Sequence, residues 1–307
     1  MYASIANVEW ARVAAAFRSA SASWTIAAAA SVMVSLALVT LRWSLFVGRG
    51  GPANQCDQPG LFSRRWRVLW SSVVLGQMIN ILVPLRFGEG ARVAVTTRGL
   101  DVPVGRVMVG AALERAFDVA AFGTFAALLI VSGWMPAGFR GVVPASATVA
   151  VGTFLAGLLF VRLLPTTLAW LRTRLGVLAP AAAWIEKQES AMRDGWTDIM
   201  RRHQIAAIAL LTAIIPISAA ATNLLVFQSF NLQVPAFIAF VLLVVIQIGT
   251  AVVSVPGNVG VFHYITVATL TAWDVPQATA LAVAIVLHLV SIAPKVFLGA
   301  MSAKKYL

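Results

Sequence analysis

Residues Gln77–Arg98, QMINILVPLRFGEGARVAVTTR, decide how this chain is read. The stretch opens as an apolar run, breaks at Pro84, and then sets Arg86, Glu89 and Arg92 around Gly88 and Gly90. Proline cannot supply the N–H that a helix interior needs, so the first helix stops there. Glu89, followed by Arg98 and Gly99, predicts a second, short helix from Glu89 to Gly99 with an acid in its first turn and a base in its last. That helix aims its positive end at the break, a place that favours an anion. Glu89 itself or an outside anion can fill the role, and the residues alone leave both open.

Composition says what surrounds this stretch. Of 307 residues, 60% are hydrophobic and 11% charged, with a mean hydropathy of +0.88. A soluble domain has about 45–50% apolar and about 25% charged residues. Several windows approach the ~18–20 apolar residues that cross a bilayer, and the chain reads as an all-α polytopic membrane protein of about 6–8 membrane segments. The runs are continuous rather than alternating, which excludes a β-barrel. The net charge of +12 lies in connections between apolar runs, where the positive-inside rule and anionic headgroups account for it without nucleic acid. A single Cys56 excludes a disulfide framework and a cysteine metal cluster. No metal and no cofactor is expected.

The charge pattern also predicts a topology. Residues 1–22 read as an amphipathic surface helix without a cleavable leader, and 23–303 as one transmembrane domain. The first span, 23–46, ends at Leu41-Arg42-Trp43, and the connection 47–67 carries Arg49, Arg64, Arg65 and Arg67. Residues 68–84 are apolar but short, and 86–106 are again arginine-rich. Two basic flanks around one apolar run predict a re-entrant helix, tolerated only where protein or water satisfies its backbone. A span over 104–132, an external loop over 133–141 and a return over 142–164 follow. The basic connection 165–204 is predicted as cytoplasmic interfacial helices anchored by Trp170, Trp184 and Trp196. Spans over 205–227 and 277–300 flank 235–274, which is predicted as a second re-entrant pair entering from outside. Two full crossings, over 235–255 and 261–274, are the alternative. A basic tail, 304–307, places the C-terminus in the cytoplasm. The expected location is a bacterial inner membrane.

The same order of signals occurs twice. Pro84-Leu-Arg-Phe-Gly88 and Pro256-Gly-Asn-Val-Gly260 share P-x-x-x-G, and each leads to Asp-Val-Pro, at Asp101 and at Asp274. Gln77 and Gln247 interrupt the apolar runs before each proline. The charge-based topology runs the two halves, 23–132 and 205–303, in opposite directions about a linker, 133–204. That is an inverted repeat with a broken helix in each half, the pattern that marks a transporter's substrate site near the midplane.

Glu114 and Asp118 are one turn apart and share a face of the 104–132 helix, whereas Arg115 is turned away from Glu114. Acids at membrane depth face the bundle interior and pair, and Arg86 and Arg92 of the broken stretch are the cations expected to meet them. One reading is a buried brace for the re-entrant loop. The other has the arginines gripping a substrate phosphate, as a planar guanidinium fork does, with the acids orienting them. Asn80 reads as a cap or cross-link of the first helix with a further chance of touching substrate. His263, after the second motif, reads as a partner for a neighbouring helix or a proton carrier.

These residues resemble the lysylphosphatidylglycerol-synthase transmembrane region, a flippase-like family. The resemblance is carried by Leu41-Arg42-Trp43, Asn80-x-x-x-Pro84-x-Arg86-x-Gly88-Glu89-x-x-Arg92, Leu113-Glu114-Arg115-x-x-Asp118 and Pro256-Gly257-x-x-Gly260, and covers roughly residues 20 to 300. It implies movement of lipids or lipid-linked glycans across a membrane. The chain departs from the family twice, with His263 where an acid usually stands and one N-terminal span fewer. No aminoacyl-transfer domain and no hydrolase or metalloprotease motif is found, so no catalytic residues are expected. The reading is a transporter of an anionic, phosphate-bearing lipid, with Asn80, Pro84, Arg86, Gly88, Glu89, Arg92, Pro256, Gly257, Gly260 and His263 at the substrate and Glu114, Arg115 and Asp118 as its charge network. A transporter of a small solute or ion, or a non-catalytic partner of a lipid or glycan biosynthetic enzyme, is the alternative. A homo-oligomer fits either.

Overall fold

In the computed structural model, the described residues are 10–48, 63–83, 87–134, isolated positions between 148 and 170, 179–252 and 255–306. Their regular structure is helical throughout. The helices are α1 (Trp10–Ser19), α2 (Ala22–Val47), α3 (Arg64–Leu82), α4 (Gly88–Leu100), α5 (Val104–Val131), α6 (Ala179–Ile199), α7 (Arg202–Ser229), α8 (Phe237–Val252), α9 (Val261–Thr271) and α10 (Gln277–Tyr306), with a 3-10 turn over Pro256–Asn258 between α8 and α9. By length and hydropathy α2, α7 and α10 can each cross a membrane. The return span expected over 142–164 lies largely outside the described residues.

The long helices pack through small polar side chains. Ser31 meets Thr222 at 2.7 Å and Ser35 meets Ser218 at 2.9 Å along the α2–α7 contact. Small residues let helix backbones approach where lipid supplies no hydrophobic drive between them.

The two ends of the bundle differ. At one, Arg65 donates to the Gly48 carbonyl, Arg106 donates to the Val47 carbonyl at 3.1 Å and pairs with Asp198, and Gln204 donates to the Leu45 carbonyl at 2.6 Å. This basic end gathers the C-terminus of α2 with the N-termini of α3, α5 and α7. At the other, the Ser21 N–H donates to the Ser229 carbonyl at 2.7 Å. There Trp134 stacks on Phe237 at 4.7 Å, and Phe237 meets Trp273 at 6.2 Å. Tryptophans so grouped suit a membrane interface.

Two antiparallel helix hairpins fill the space between these ends. In the first, α3 leaves the basic end and α4 returns to it. Gly76 on α3 lies where an added Cβ would be 2.9 Å from the Gly88 carbonyl, and near the other end Gly99 abuts Val68. In the second, α8 leaves the aromatic end and α9 returns, with Gly249 against Ile265 and Phe237 against Trp273. The tips meet: a Cβ on Gly257 would lie 4.0 Å from the Ile81 carbonyl.

Each hairpin also closes in the same way. Asp101 and Asp274 both have positive φ, 52° and 60°. The next residue's N–H reaches back to the carbonyl five positions earlier, Val102 to Thr97 at 3.3 Å and Val275 to Leu270 at 3.3 Å. This is a Schellman stop with aspartate in the left-handed position that glycine more often takes. The sequence pattern places the stop of α4 at Gly99. Gly99 instead lies inside the helix, where lacking a side chain admits Val68.

Candidate functional site

Close to the tip of the first hairpin, where α4 begins, α2, α4 and α5 bring charged side chains into the bundle. Glu114 is 1% exposed, Arg42 3% and Arg92 6%. Arg92 grips Glu114 with both terminal nitrogens, Nη1 to Oε2 at 2.7 Å and Nη2 to Oε1 at 3.2 Å. Arg42 bridges the two acids of α5, with Nη2 3.0 Å from Glu114 Oε1 and Nη1 2.6 Å from Asp118 Oδ1. Arg42 also reaches Thr212 on α7 at 3.3 Å. Arg115 pairs with Glu89 and lies 3.4 Å from Asp118. Charges this deep persist only when paired and hydrogen-bonded.

Neighbouring groups fix the geometry. The Arg92 guanidinium stacks over Trp43, its Cζ 3.8 Å from the ring centroid, a cation–π contact strengthened by desolvation. Trp43 in turn donates from Nε1 to Thr96 on α4 at 3.2 Å. Asn80 accepts from the Gly88 N–H at 2.9 Å, and its amide donates to Glu89 at 3.4 Å. It therefore satisfies one of the donors that the start of α4 leaves open. Glu89 stands in that first turn but spends its carboxylate on Arg115.

The second break is built differently. Gly257 and Gly260 take positive φ, 63° and 88°, which a side chain would strain. His288 on α10 binds the Gly257 carbonyl through Nε2 at 2.8 Å, and that bond makes Nε2 the protonated nitrogen. His263 Nδ1 lies 3.4 Å from the Gly260 N–H, and the rings of His263 and His288 are 4.7 Å apart. His263 therefore accepts at the cap of its own helix and stands beside the His288 ring of α10.

A model of the lysylphosphatidylglycerol synthase TM region matches residues 1–299 of this chain. The chain belongs to that family. No curated protein and no solved structure matches it. Family membership and apolar helices together make it an integral membrane protein tied to lipid biology.

Within this family member, the structure brings Glu89, Arg92, Glu114, Arg115 and Asp118 into one cluster, with Asn80 and Gly88 beside it. Pro256, Gly257, Gly260 and His263 lie at the other break. Pro84 and Arg86 lie outside the described residues. Arg42 is the member that sequence reasoning leaves out of the site, although it stands in the Leu41-Arg42-Trp43 motif. An arginine at the end of an apolar run reads as an interfacial charge. Only the packing of α2 against α5 shows it turned inward. Trp43 and His288 likewise give no local sign of the contacts they make.

A cavity of about 330 Å³ opens beside the cluster, between α4, α5 and α6. Its walls are apolar, Val93, Met108 and Ala112 among them, with Glu89 at its edge. The volume falls at the lower end of the range for small-molecule pockets, about 300–1,000 Å³.

Proposed function

We propose that this protein moves an anionic lipid headgroup across the membrane, as a transporter and not as an enzyme. The observation that carries the reading is the meeting of two hairpin tips from opposite ends of the bundle, Ile81 against Gly257. Broken helices at corresponding places in two inverted halves put interrupted backbone near the midplane. Such backbone is tolerated at that depth where it is covered by protein or lines a polar path. On this reading both hairpins are re-entrant, the two halves form an inverted repeat, and the basic end faces the cytoplasm.

The charged cluster then acts first as a brace. Arg92, held by Glu114 and stacked on Trp43, ties the start of α4 to α5 and α2 and so holds the first hairpin close to its tip. Both terminal nitrogens of Arg92 are already on Glu114, so a headgroup at Arg92 must displace a carboxylate. The apolar cavity beside Glu89 supports an acyl-chain substrate over a free solute. An apolar wall gives a hydrated ion nothing in exchange for its water.

The test uses protein reconstituted into vesicles containing a tail-labelled fluorescent phosphatidylglycerol and a membrane-impermeant quencher. Bleaching beyond the outer leaflet, absent from protein-free vesicles, is the expected result. Bleaching that stops at the outer leaflet, together with uptake of a small anion, favours the solute transporter. If neither lipid nor anion moves, the reading as a non-catalytic partner of a biosynthetic enzyme is preferred.

A further inference from the structure

The cluster at the first hairpin is closed on itself. Arg42, Arg92 and Arg115 are matched by Glu89, Glu114 and Asp118. It has no net positive charge to offer an incoming anion. A cation that is not neutralised in this way stands on another helix. Lys295 lies within α10, half-buried, between Pro294 and Val296. Among the described residues it makes no hydrogen bond and no ion pair.

Its place on α10 is fixed by the neighbours on its face. His288, seven residues earlier, holds the Gly257 carbonyl at the second tip. Gly299, four residues later, lies against Met78 on α3, with the Val74 carbonyl 2.9 Å from where its Cβ would be. Positions separated by seven and by four residues share one face of a helix. Lys295 therefore lies on the face turned toward α3 and the junction of the tips. Met78 lies eleven residues beyond Arg67, a climb of ~16 Å at the helical rise, and Lys295 is about one turn nearer the tip. That is too deep for the ammonium to reach headgroup level along its stem. A cation held at such depth without a protein carboxylate marks a ligand path.

We propose that Lys295 is the anchor for the phosphate of the lipid this protein handles, seated where the α3 tip and the Pro256–Gly260 turn meet. This rests on the lipid-transport reading and names the group within it that meets the charge. Lysine suits the task in a way the clustered arginines do not. Its ammonium is a compact point charge on a flexible stem, and it holds a phosphate without a fixed bidentate geometry. A moving headgroup needs an anchor that lets go. The arginine forks of the cluster hold helices, and the lone lysine holds the passenger.

A phosphate can arrive on a lipid or free in solution, and the experiment separates the two. Delipidated wild type, Lys295→Met and Lys295→Arg are titrated in detergent with phosphatidylglycerol, with diacylglycerol as the phosphate-free control, and with inorganic phosphate. Native mass spectrometry counts the bound molecules, and size-exclusion elution shows that each variant is folded. Wild type and Lys295→Arg should bind phosphatidylglycerol in preference to diacylglycerol, and Lys295→Met should bind it roughly tenfold more weakly. Equal binding by Lys295→Met, no preference over diacylglycerol, or Lys295-dependent binding of inorganic phosphate alone overturns the assignment. Because binding is read without transport, Lys295-dependent binding in a protein that moves no lipid leaves the anchor standing and removes the translocation reading.

Discussion

Replacing Glu114 with Gln should expose how much the buried cluster matters. The carboxylate is 1% exposed and receives Arg92 through two nitrogens, at 2.7 and 3.2 Å, and Arg42 through one, at 3.0 Å. Glutamine keeps the shape and one acceptor oxygen but removes the charge. The cluster then holds three guanidiniums against two carboxylates, Glu89 and Asp118. Removing one partner from a buried ion pair typically costs about 3–5 kcal/mol, because the other is left uncompensated in a low dielectric. Equilibrium unfolding in mixed detergent, followed by fluorescence of the 10 tryptophans, gives the change directly. The double variant Arg92→Gln with Glu114→Gln restores neutrality, and its loss should fall short of the summed single losses by about 1–3 kcal/mol. A Glu114→Gln protein within about 0.5 kcal/mol of wild type, or strictly additive losses, would refute the view that these charges hold one another.

Other substitutions test the parts around it. Gly88→Ala puts a methyl group against the Gly76 carbonyl and the Asn80 side chain, and should cost about 1–3 kcal/mol as overpacking does; a thermal melt in detergent that does not fall contradicts the tight α3–α4 crossing. Asn80→Ala removes the acceptor for the Gly88 N–H at 2.9 Å and should cost about 1 kcal/mol, read by the same melt. Gly48→Ala meets both a positive φ of 64° and the Arg106 guanidinium, 2.6 Å from the new Cβ, so it should destabilise the basic end more than Gly90→Ala, where nothing lies within 4 Å. In a Cys56→Ser background, a membrane-impermeant maleimide should label Ser63→Cys from one side and Gln233→Cys from the other, with Val259→Cys slow from both. Rapid labelling of Val259→Cys from the side that labels Ser63→Cys would mean that α8 crosses fully.

Much of this architecture is written in local signals. P-x-x-x-G followed by Asp-Val-Pro marks both hairpins, and the aspartate in the left-handed position that ends each returning helix is a local cause common to the two. The pairing of Glu114 with Arg92 is also legible, since acids on one face of an apolar helix demand cations. Arg42 is not, because its partner Glu114 stands 72 positions away in sequence and only the α2–α5 packing brings them together. Arg115 points another way from Glu114 along α5, as the helical period requires, yet joins the cluster through Glu89 of α4. Gly99 misleads because a glycine near a helix end reads as a stop, whereas here it serves contact with Val68. The matched caps of the two hairpins strengthen the repeat in a way that the motif spelling could not.

The most direct test of the account is to tie the two tips together. Ile81→Cys and Asn258→Cys, in the Cys56→Ser background, place thiols on the two elements that meet at Gly257 and the Ile81 carbonyl. A short, reducible thiol cross-linker applied to the reconstituted protein should join them, halt translocation of labelled phosphatidylglycerol, and release it again on reduction. Failure of the cross-link to form, or lipid movement at the full rate in cross-linked protein, would contradict the claim that the meeting of these tips is the path.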